Sequence, residues 1–153
     1  MVKVFVDADA APKDVVASAR RLAAVYHADV VTVSSINHML EGEGHISVDA
    51  HPQAVDMVII GEIKTGEPTI VITQDYGLAS LALGKGAKAI SPKGTEYTAD
   101  NIDLLLFERA LHAHERRATG RNKGPKARTK ADQAKFAANL ESMLRSIGDG
   151  DRL

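Results

Sequence analysis

Short apolar runs rich in β-branched residues alternate with helix-like patterns through the first ninety residues of this 153-residue chain. The predicted strands cover residues 2–6, 28–34, 45–49, 69–73 and 87–91. The predicted helices between them cover residues 12–26, 51–64 and 76–85. Because this alternation is typical of βαβ units, the sequence predicts an α/β fold with a mainly parallel central sheet covered by helices on both faces.

Two further helices are predicted after the sheet. Residues 99–118 form the first, and residues 130–147 form an amphipathic C-terminal helix. The segment between them, residues 119–129, contains two glycines and a proline and is predicted to be a linker. We therefore expect an α/β domain over residues 1–118, a basic linker, and a C-terminal helix that packs on the same domain.

The composition excludes several classes of site. The chain has no cysteine, which rules out disulfides, thiolate metal ligands and a cysteine nucleophile. No apolar run approaches the length of a membrane span, and the N-terminus leads into a strand without a signal-peptide pattern. We expect a cytoplasmic protein with no membrane partner.

Two aspartates, Asp7 and Asp9, directly follow the first predicted strand in the sequence DADAAP at residues 7–12. Open α/β sheets bind their ligands at the carboxyl ends of the strands. Two carboxylates held close together repel each other unless a cation or a shared proton lies between them. The pair therefore predicts either a divalent metal site or an aspartate nucleophile beside a general acid. The alternative for Asp9 is that it caps the helix opened by Pro12.

Asp75 and Asp56 are predicted to reach the same edge of the sheet. Asp75 follows the strand at residues 69–73, and right-handed crossovers place the end of that strand beside the end of the first one. Asp56 lies in an otherwise apolar part of the helix at 51–64, where a carboxylate needs a partner. The alternative for Asp56 is an interaction with the dipole at the start of its helix.

A cluster of carboxylates without cysteine favours a hard cation with oxygen ligands, Mg²⁺ or Mn²⁺. Such an ion polarises phosphoryl oxygens and lowers the pKa of a bound water. The acidic edge therefore predicts phosphoryl chemistry.

A basic segment accompanies the acidic edge, although the whole chain has a net charge of −1. Residues 116–135 contain eight basic residues and a single acid, Asp132. A basic segment on an acidic body predicts a polyanionic partner, with a solvated linker as the alternative. Phosphate contacts without base reading are expected because no aromatic residue is interleaved there. The candidate nucleic-acid-binding residues are Arg116, Arg117, Arg121, Lys123, Lys126 and Arg128.

The chain contains five motifs: D-A-D-A-x-P at 7–12, V-D-x-x-I at 55–59, T-Q-D-Y-G-L-A at 73–79, S-P-K-G-T-E-Y-T-A-D-N-I at 91–102, and G-P followed by D-x-x-x-F between 124 and 136. Together these motifs resemble the YaiI/YqxD family of bacterial proteins. That family is grouped with PIN-like domains, whose known members are metal-dependent ribonucleases. The resemblance implies a PIN-like three-layer α/β/α sandwich with C-terminal helices, and RNA rather than DNA as the nucleic acid. It also implies that Asp7, Asp56 and Asp75 match the acidic positions of such nucleases.

The leading functional prediction is a Mg²⁺- or Mn²⁺-dependent nuclease that hydrolyses phosphodiester bonds. Asp7, Asp56 and Asp75 would be the catalytic acids, and Asp9 would join them as a metal ligand. One alternative is a non-catalytic nucleic-acid-binding module with a structural metal ion. Another is a phosphatase similar to haloacid dehalogenases, because Asp7 and Asp9 have the spacing of a nucleophile and its general acid.

Overall fold

The structure, a computed structural model, describes residues 1–9, 11–35, 44–48, 53–119 and 127–151. It describes the side chains of these residues except at 116–119 and 149–151.

Six strands form one sheet in the described residues, in the order β3-β2-β1-β4-β5-β6. They are β1 Lys3–Asp7, β2 Asp29–Ser35, β3 His45–Val48, β4 Thr69–Ile72, β5 Lys88–Ile90 and β6 Glu96–Tyr97. Strands β1 to β5 are parallel, and β6 pairs antiparallel with β5. The sequence analysis did not predict β6, because two residues are too short to show an alternating pattern.

The helices of the described residues form two layers around the sheet. They are α1 Lys13–Val25, α2 Ala54–Glu62, α3 Tyr76–Gly84, α4 Ala99–Thr119 and α5 Lys130–Asp151. Val4 and Val6 of β1 pack with α1 and α5, whereas Phe5 between them packs with α2 and α3. Helix α4 packs on α3 at the side of the molecule. The predicted α/β fold with a central, mainly parallel sheet and a C-terminal helix is thus confirmed.

Some predicted boundaries change or lie outside the described residues. The helix predicted over 51–64 covers Ala54–Glu62, with residues 49–52 not described. The C-terminal helix extends four residues beyond its predicted end at 147. Most of the predicted linker, residues 120–126, also lies outside the described part of the chain.

The strand order reverses between β1 and β4. From β1 the chain continues to β2 on one side, whereas β4 lies on the other side of β1. In α/β sheets, ligands bind in the crevice outside the carboxyl ends of the two strands at such a switch point. The register of β1 and β4 pairs Val6 with Ile72. The residues that follow them, Asp7 and Thr73, therefore lie side by side at this crevice.

Helix α5 packs on the turn that follows β5. Phe136 of α5 is fully buried in the core beneath α1, and Asn139 Nδ2 donates to the carbonyl oxygen of Gly94 at 2.6 Å. Gly94 has φ +90°, and a Cβ built there would lie 2.8 Å from the backbone nitrogen of Phe136. A side chain at this position would therefore push α5 away from the turn.

Although α4 and α5 each exceed twenty residues, no helix in the described part of the chain combines the length and apolarity of a membrane span.

We expect Gly94→Ala to lower the free energy of unfolding by about 2–5 kcal/mol, because a left-handed φ and a clash with backbone atoms both oppose the added methyl group. Gly66→Ala is the matched control. Gly66 also has a positive φ, +83°, but its added Cβ would meet no described atom within 4 Å. This control should cost only about 1–2 kcal/mol. Urea unfolding of both variants measures the difference, and equal losses would contradict the close packing of α5 on this turn.

Candidate functional site

Asp7 lies at the end of β1, where the sheet places it beside Thr73. The hydroxyl of Thr73 donates a hydrogen bond to Asp7 Oδ2 at 2.8 Å. Burial raises the pKa of the Asp7 carboxyl, and the charges of Asp9 and Asp75 raise it further, against the opposing effect of the Thr73 hydrogen bond. The Asp7 carboxylate is therefore held in place but is electrostatically strained by its neighbours.

Thr73 links the two neighbouring strands, and the sequence analysis did not select it. Its Oγ1 accepts a hydrogen bond from the backbone N–H of Asp75 at 2.9 Å while donating to Asp7. Its carbonyl oxygen accepts from the hydroxyl of the buried Tyr97 at 3.1 Å. The sequence does show a hydroxyl residue directly after β4 and two residues before Asp75. In a parallel sheet such a residue lies beside the end of β1 and can reach Asp7.

Asp9 joins the ends of β1 and β2. Its Oδ1 accepts a hydrogen bond from the backbone N–H of Ser35 at 2.8 Å. Helix α1 has Pro12 in its N-cap position and no side-chain capping hydrogen bond. The alternative in which Asp9 caps this helix is therefore wrong, because the carboxylate turns toward β2 instead.

Asp75 lies at the N-terminus of α3 and has a structural role there. Its Oδ1 accepts from the backbone N–H groups of Gly77 and Leu78, at 2.8 and 3.3 Å. The same oxygen lies 3.6 Å from Nη1 of Arg109, an exposed residue of α4. The contact with Arg109 was not predicted, because the two residues are far apart in sequence and belong to different helices.

Asp56 occupies the first turn of α2 and faces the other acids. Its carboxyl group lies near that of Asp75. Burial and the charges of Asp75 and Asp7 raise the pKa of Asp56 from its ordinary 3.8 to about 7. Asp56 thus lies near enough to Asp75 and Asp7 for their charges to interact, whereas a shared role of these acids as metal ligands stays a prediction.

The donor chemistry of these acids fits a hard divalent cation, although they do not form a closed cage. No three His, Asp or Glu side chains in the described ranges are arranged so that they could hold a metal ion together. Mg²⁺, however, is commonly bound by one or two carboxylates and keeps several waters. The backbone N–H of Ser35 fixes Oδ1 of Asp9, and those of Gly77 and Leu78 fix Oδ1 of Asp75, so both carboxylates are oriented by the backbone. A cation among the carboxylates would also offset the repulsion that raises the pKa values of Asp7 and Asp56.

A cavity of about 390 Å³ lies between the residues that follow β4 and β5 and the start of α5, and none of the four acids lines it. Its lining includes Gln74 and Tyr76, which flank Asp75 in the sequence, and Lys93 and Tyr97. The rings of Tyr76 and Tyr97 meet edge to face, with centroids 5.7 Å apart. The volume lies in the range of small-molecule sites, and the lining combines aromatic surface with a cationic group.

The predicted basic residues are only partly visible. Arg128 is largely buried and forms a bidentate pair with Asp14 of α1, with both N–O distances 2.8 Å, and it also donates to the carbonyl oxygen of Pro92. Arg116 and Arg117 belong to the last turns of α4, but their side chains are not described. Arg121, Lys123 and Lys126 lie outside the described residues. A nucleic-acid-binding role for these six residues stays a prediction.

Comparisons with known proteins extend over nearly the whole chain. Residues 5–146, which include the four acids, match one family model, described as "Uncharacterized BCR, YaiI/YqxD family". The chain is 40% identical to a UPF0178 protein of Heliobacterium modesticaldum over 144 residues, covering 94% of this chain and 97% of the relative. No solved structure gives a significant match.

Two further relatives show similar identity. A UPF0178 protein of Clostridium tetani is 45% identical over 142 residues, which cover 91% of this chain and 94% of the relative. One of Lachnoclostridium phytofermentans is 39% identical over 152 residues, which cover 95% and 99%.

The raised pKa of Asp56 predicts a specific pH dependence of stability in the presence of a chelator. Between pH 3.8 and about 7 the folded chain keeps a proton on Asp56 that the unfolded chain releases. The free energy of unfolding should therefore fall as the pH rises through this window. The side chain of Asp56→Asn stays neutral, so the free energy of unfolding of this variant should fall by about 1–2 kcal/mol less than that of the wild type between pH 3.8 and about 7. This magnitude allows for solvent screening of a half-exposed group.

Urea unfolding at a series of pH values measures this dependence. Asp29→Asn, at an exposed position at the start of β2, is the matched control and should follow the wild-type curve. If the free energy of unfolding of Asp56→Asn depended on pH as steeply as that of the wild type, the raised pKa of Asp56 would be contradicted.

Proposed function

The chain belongs to the YaiI/YqxD family, and we propose that it is a Mg²⁺- or Mn²⁺-dependent nuclease that hydrolyses phosphodiester bonds in RNA. The observation that carries the proposal is the hydrogen-bonded link from Asp7 through Thr73 to Asp75 at the switch point of the sheet, with Asp56 in the first turn of α2. These acids come from the end of β1, the first turn of α2 and the start of α3. Carboxylates with perturbed pKa values in a ligand-binding crevice are typical of functional sites.

The proposal assigns the metal to the edge formed by Asp7, Asp9, Asp56 and Asp75, where one or two of these carboxylates would bind it and waters would complete its coordination, because no three of the described acids are arranged to hold it together. When bound, the ion would polarise a phosphoryl oxygen and lower the pKa of a water that attacks phosphorus. Thr73 fixes the orientation of Asp7 through its hydroxyl, and the N–H of Ser35 fixes that of Asp9. Such supporting hydrogen bonds hold ligand oxygens in position before the ion and the substrate arrive.

The cavity lined by Gln74 and Tyr76, the sequence neighbours of Asp75, supports a nucleic-acid substrate. Tyr76 offers an aromatic surface against which a base can stack, and Lys93 offers a charge for a phosphate. Arg109, next to Asp75, supplies a second cation at the acidic edge. Stacking and phosphate contacts of this kind suit a single strand, whose bases are free to leave the helix stack. RNA as the nucleic acid follows from the resemblance to PIN-like ribonucleases.

The first test replaces the central acid. Asp7→Asn should lower Mn²⁺-dependent cleavage of a 5′-labelled RNA oligonucleotide at least about 100-fold. Removing a residue that only hydrogen-bonds a metal ligand already costs about 10–100-fold, and removing the ligand itself should cost more. With a chelator present, the same variant should unfold at a higher temperature than the wild type, since one of the mutually repelling charges is gone. Asp29→Asn is the control and should keep full activity.

The outcomes of this experiment separate the alternatives. Cleavage by Asp7→Asn at the wild-type rate would contradict the proposed mechanism. Binding of Mn²⁺ and RNA by the wild type without any cleavage would favour a non-catalytic module with a structural ion. A phosphate trapped covalently on Asp7 would favour the phosphatase similar to haloacid dehalogenases.

The second test addresses the positioning role of Thr73. Thr73→Val keeps the volume of this buried side chain but removes the hydroxyl that holds Asp7, and it should weaken Mn²⁺ binding about 10–100-fold. Thr73→Ser keeps the hydroxyl and should bind nearly as the wild type does. Isothermal titration calorimetry measures both affinities. Equal affinities for the Val and Ser variants would show that the hydrogen bond to Asp7 does not position a ligand.

A further inference from the structure

Arg109 continues the side of α4 that packs on α3. Ile102 and the partly buried Leu105 and Leu106 pack with α3 and β5 in one core cluster. Arg109 follows Leu106 by three residues and Leu105 by four, so it lies on the same side of the helix. The apolar pattern favours another apolar residue at this position. The chain has an arginine there instead, where α4 reaches Asp75.

The ion pair between Arg109 and Asp75 is loose. Nη1 of Arg109 lies 3.6 Å from Asp75 Oδ1, beyond the roughly 2.7–2.9 Å of a charged hydrogen bond, and the Arg109 side chain is 58% exposed. That oxygen already accepts two backbone N–H groups of α3. Arg128, by contrast, is 16% exposed and places two nitrogens 2.8 Å from the carboxylate oxygens of Asp14. The guanidinium of Arg109 is therefore not fully engaged by its partner.

Helix packing does not account for a cation at this position. The N-terminus of α3, which Asp75 caps, carries a partial positive charge that disfavours a second positive group. An exposed ion pair also contributes little to the stability of a fold. The position does offer the negative charge of Asp75, which lies close enough to Asp56 to raise the pKa of that carboxyl. The acidic edge is thus what attracts Arg109, and a divalent cation would compete with Arg109 for the same charge.

We propose that Arg109 is a substrate-binding residue that exchanges its contact with Asp75 for a phosphate of the nucleic acid once a divalent ion is bound. This inference rests on the proposed metal-dependent nuclease. In the free protein Arg109 neutralises part of the charge of the acidic edge. That role ends when a bound ion neutralises the carboxylates, and the exposed side chain then turns to the phosphate. The planar guanidinium suits this ligand because it can donate to two phosphate oxygens at once.

The exchange predicts effects of opposite sign when the charge of Arg109 is removed. Without the guanidinium, Asp75 has no competing cation from α4, so a divalent ion should bind more tightly. A phosphate loses a donor and should bind more weakly. A residue that only supports the packing of α4 on α3 would instead change both affinities in the same direction.

Isothermal titration calorimetry measures both affinities, first for MnCl₂ and then for adenosine 5′-monophosphate at the same saturating Mn²⁺ concentration in cell and syringe. The nucleotide carries a phosphate but no phosphodiester bond, so its binding does not depend on nuclease activity. Arg109→Ala should bind Mn²⁺ about 3–10-fold more tightly than the wild type and the nucleotide about 10-fold more weakly. Arg109→Lys keeps the charge but not the planar fork. It should bind Mn²⁺ as the wild type does and the nucleotide with intermediate affinity.

Lys64→Ala is the matched control, because it removes the same charge from an exposed residue that precedes β4, at the opposite edge of the sheet. Both of its affinities should equal those of the wild type. Weaker binding of both ligands by Arg109→Ala, or no change in either, would overturn the exchange. A wild type that binds no Mn²⁺ would overturn it together with the metal site. Opposite shifts in a protein that cleaves no RNA would support the exchange and reject only the nuclease.

Discussion

The pairing of β1 with β4 is the constraint on which the site depends. These two parallel strands are neighbours only because the strand order reverses between them, and their register places Asp7 beside Thr73. The Thr73 hydroxyl then donates to Asp7 and accepts from the Asp75 backbone, so one side chain sets the separation of two acids. A shift of one residue in this register would turn the Asp7 side chain to the opposite face of the sheet and separate the acids.

The acidic edge opposes the stability of the fold that builds it. The raised pKa values of Asp7 and Asp56 mean that folding destabilises their charged forms. Hydrogen bonds nevertheless anchor three of the four carboxylates, since Asp9 accepts from the N–H of Ser35, Asp75 from two N–H groups of α3, and Asp7 from the hydroxyl of Thr73. The edge thus combines anchored carboxylate oxygens with burial and repulsion that oppose the charges of Asp7 and Asp56. A bound cation favours such an arrangement, since it offsets the repulsion while the anchored groups keep their positions.

Much of this arrangement could be predicted from the sequence. Hydrophobic periodicity is visible within each short segment, and the handedness rule applies to each βαβ unit separately. The apolar runs located the strands, and the right-handed crossover rule placed Asp75 beside Asp7. The orientation of Asp9 could not be predicted, because its partner, the N–H of Ser35, becomes available only where β2 extends beyond its pairing with β1. The contact of Arg109 with Asp75 depends on how α4 packs on α3, which no local pattern specifies.

Arg128, at the end of the basic segment, serves the fold. The sequence predicts that Arg128 binds nucleic acid together with the arginines and lysines before it. In the structure its guanidinium donates to Asp14 of α1 and to the carbonyl oxygen of Pro92. Because Asp14 lies in the first turn of α1 and Pro92 lines the cavity, Arg128 fixes the chain beside the proposed substrate site just before α5 begins. With its own charge neutralised by Asp14, Arg128 has little left for a polyanion. Any attraction of a polyanion by this segment would then come from the basic residues that precede Arg128 in the sequence.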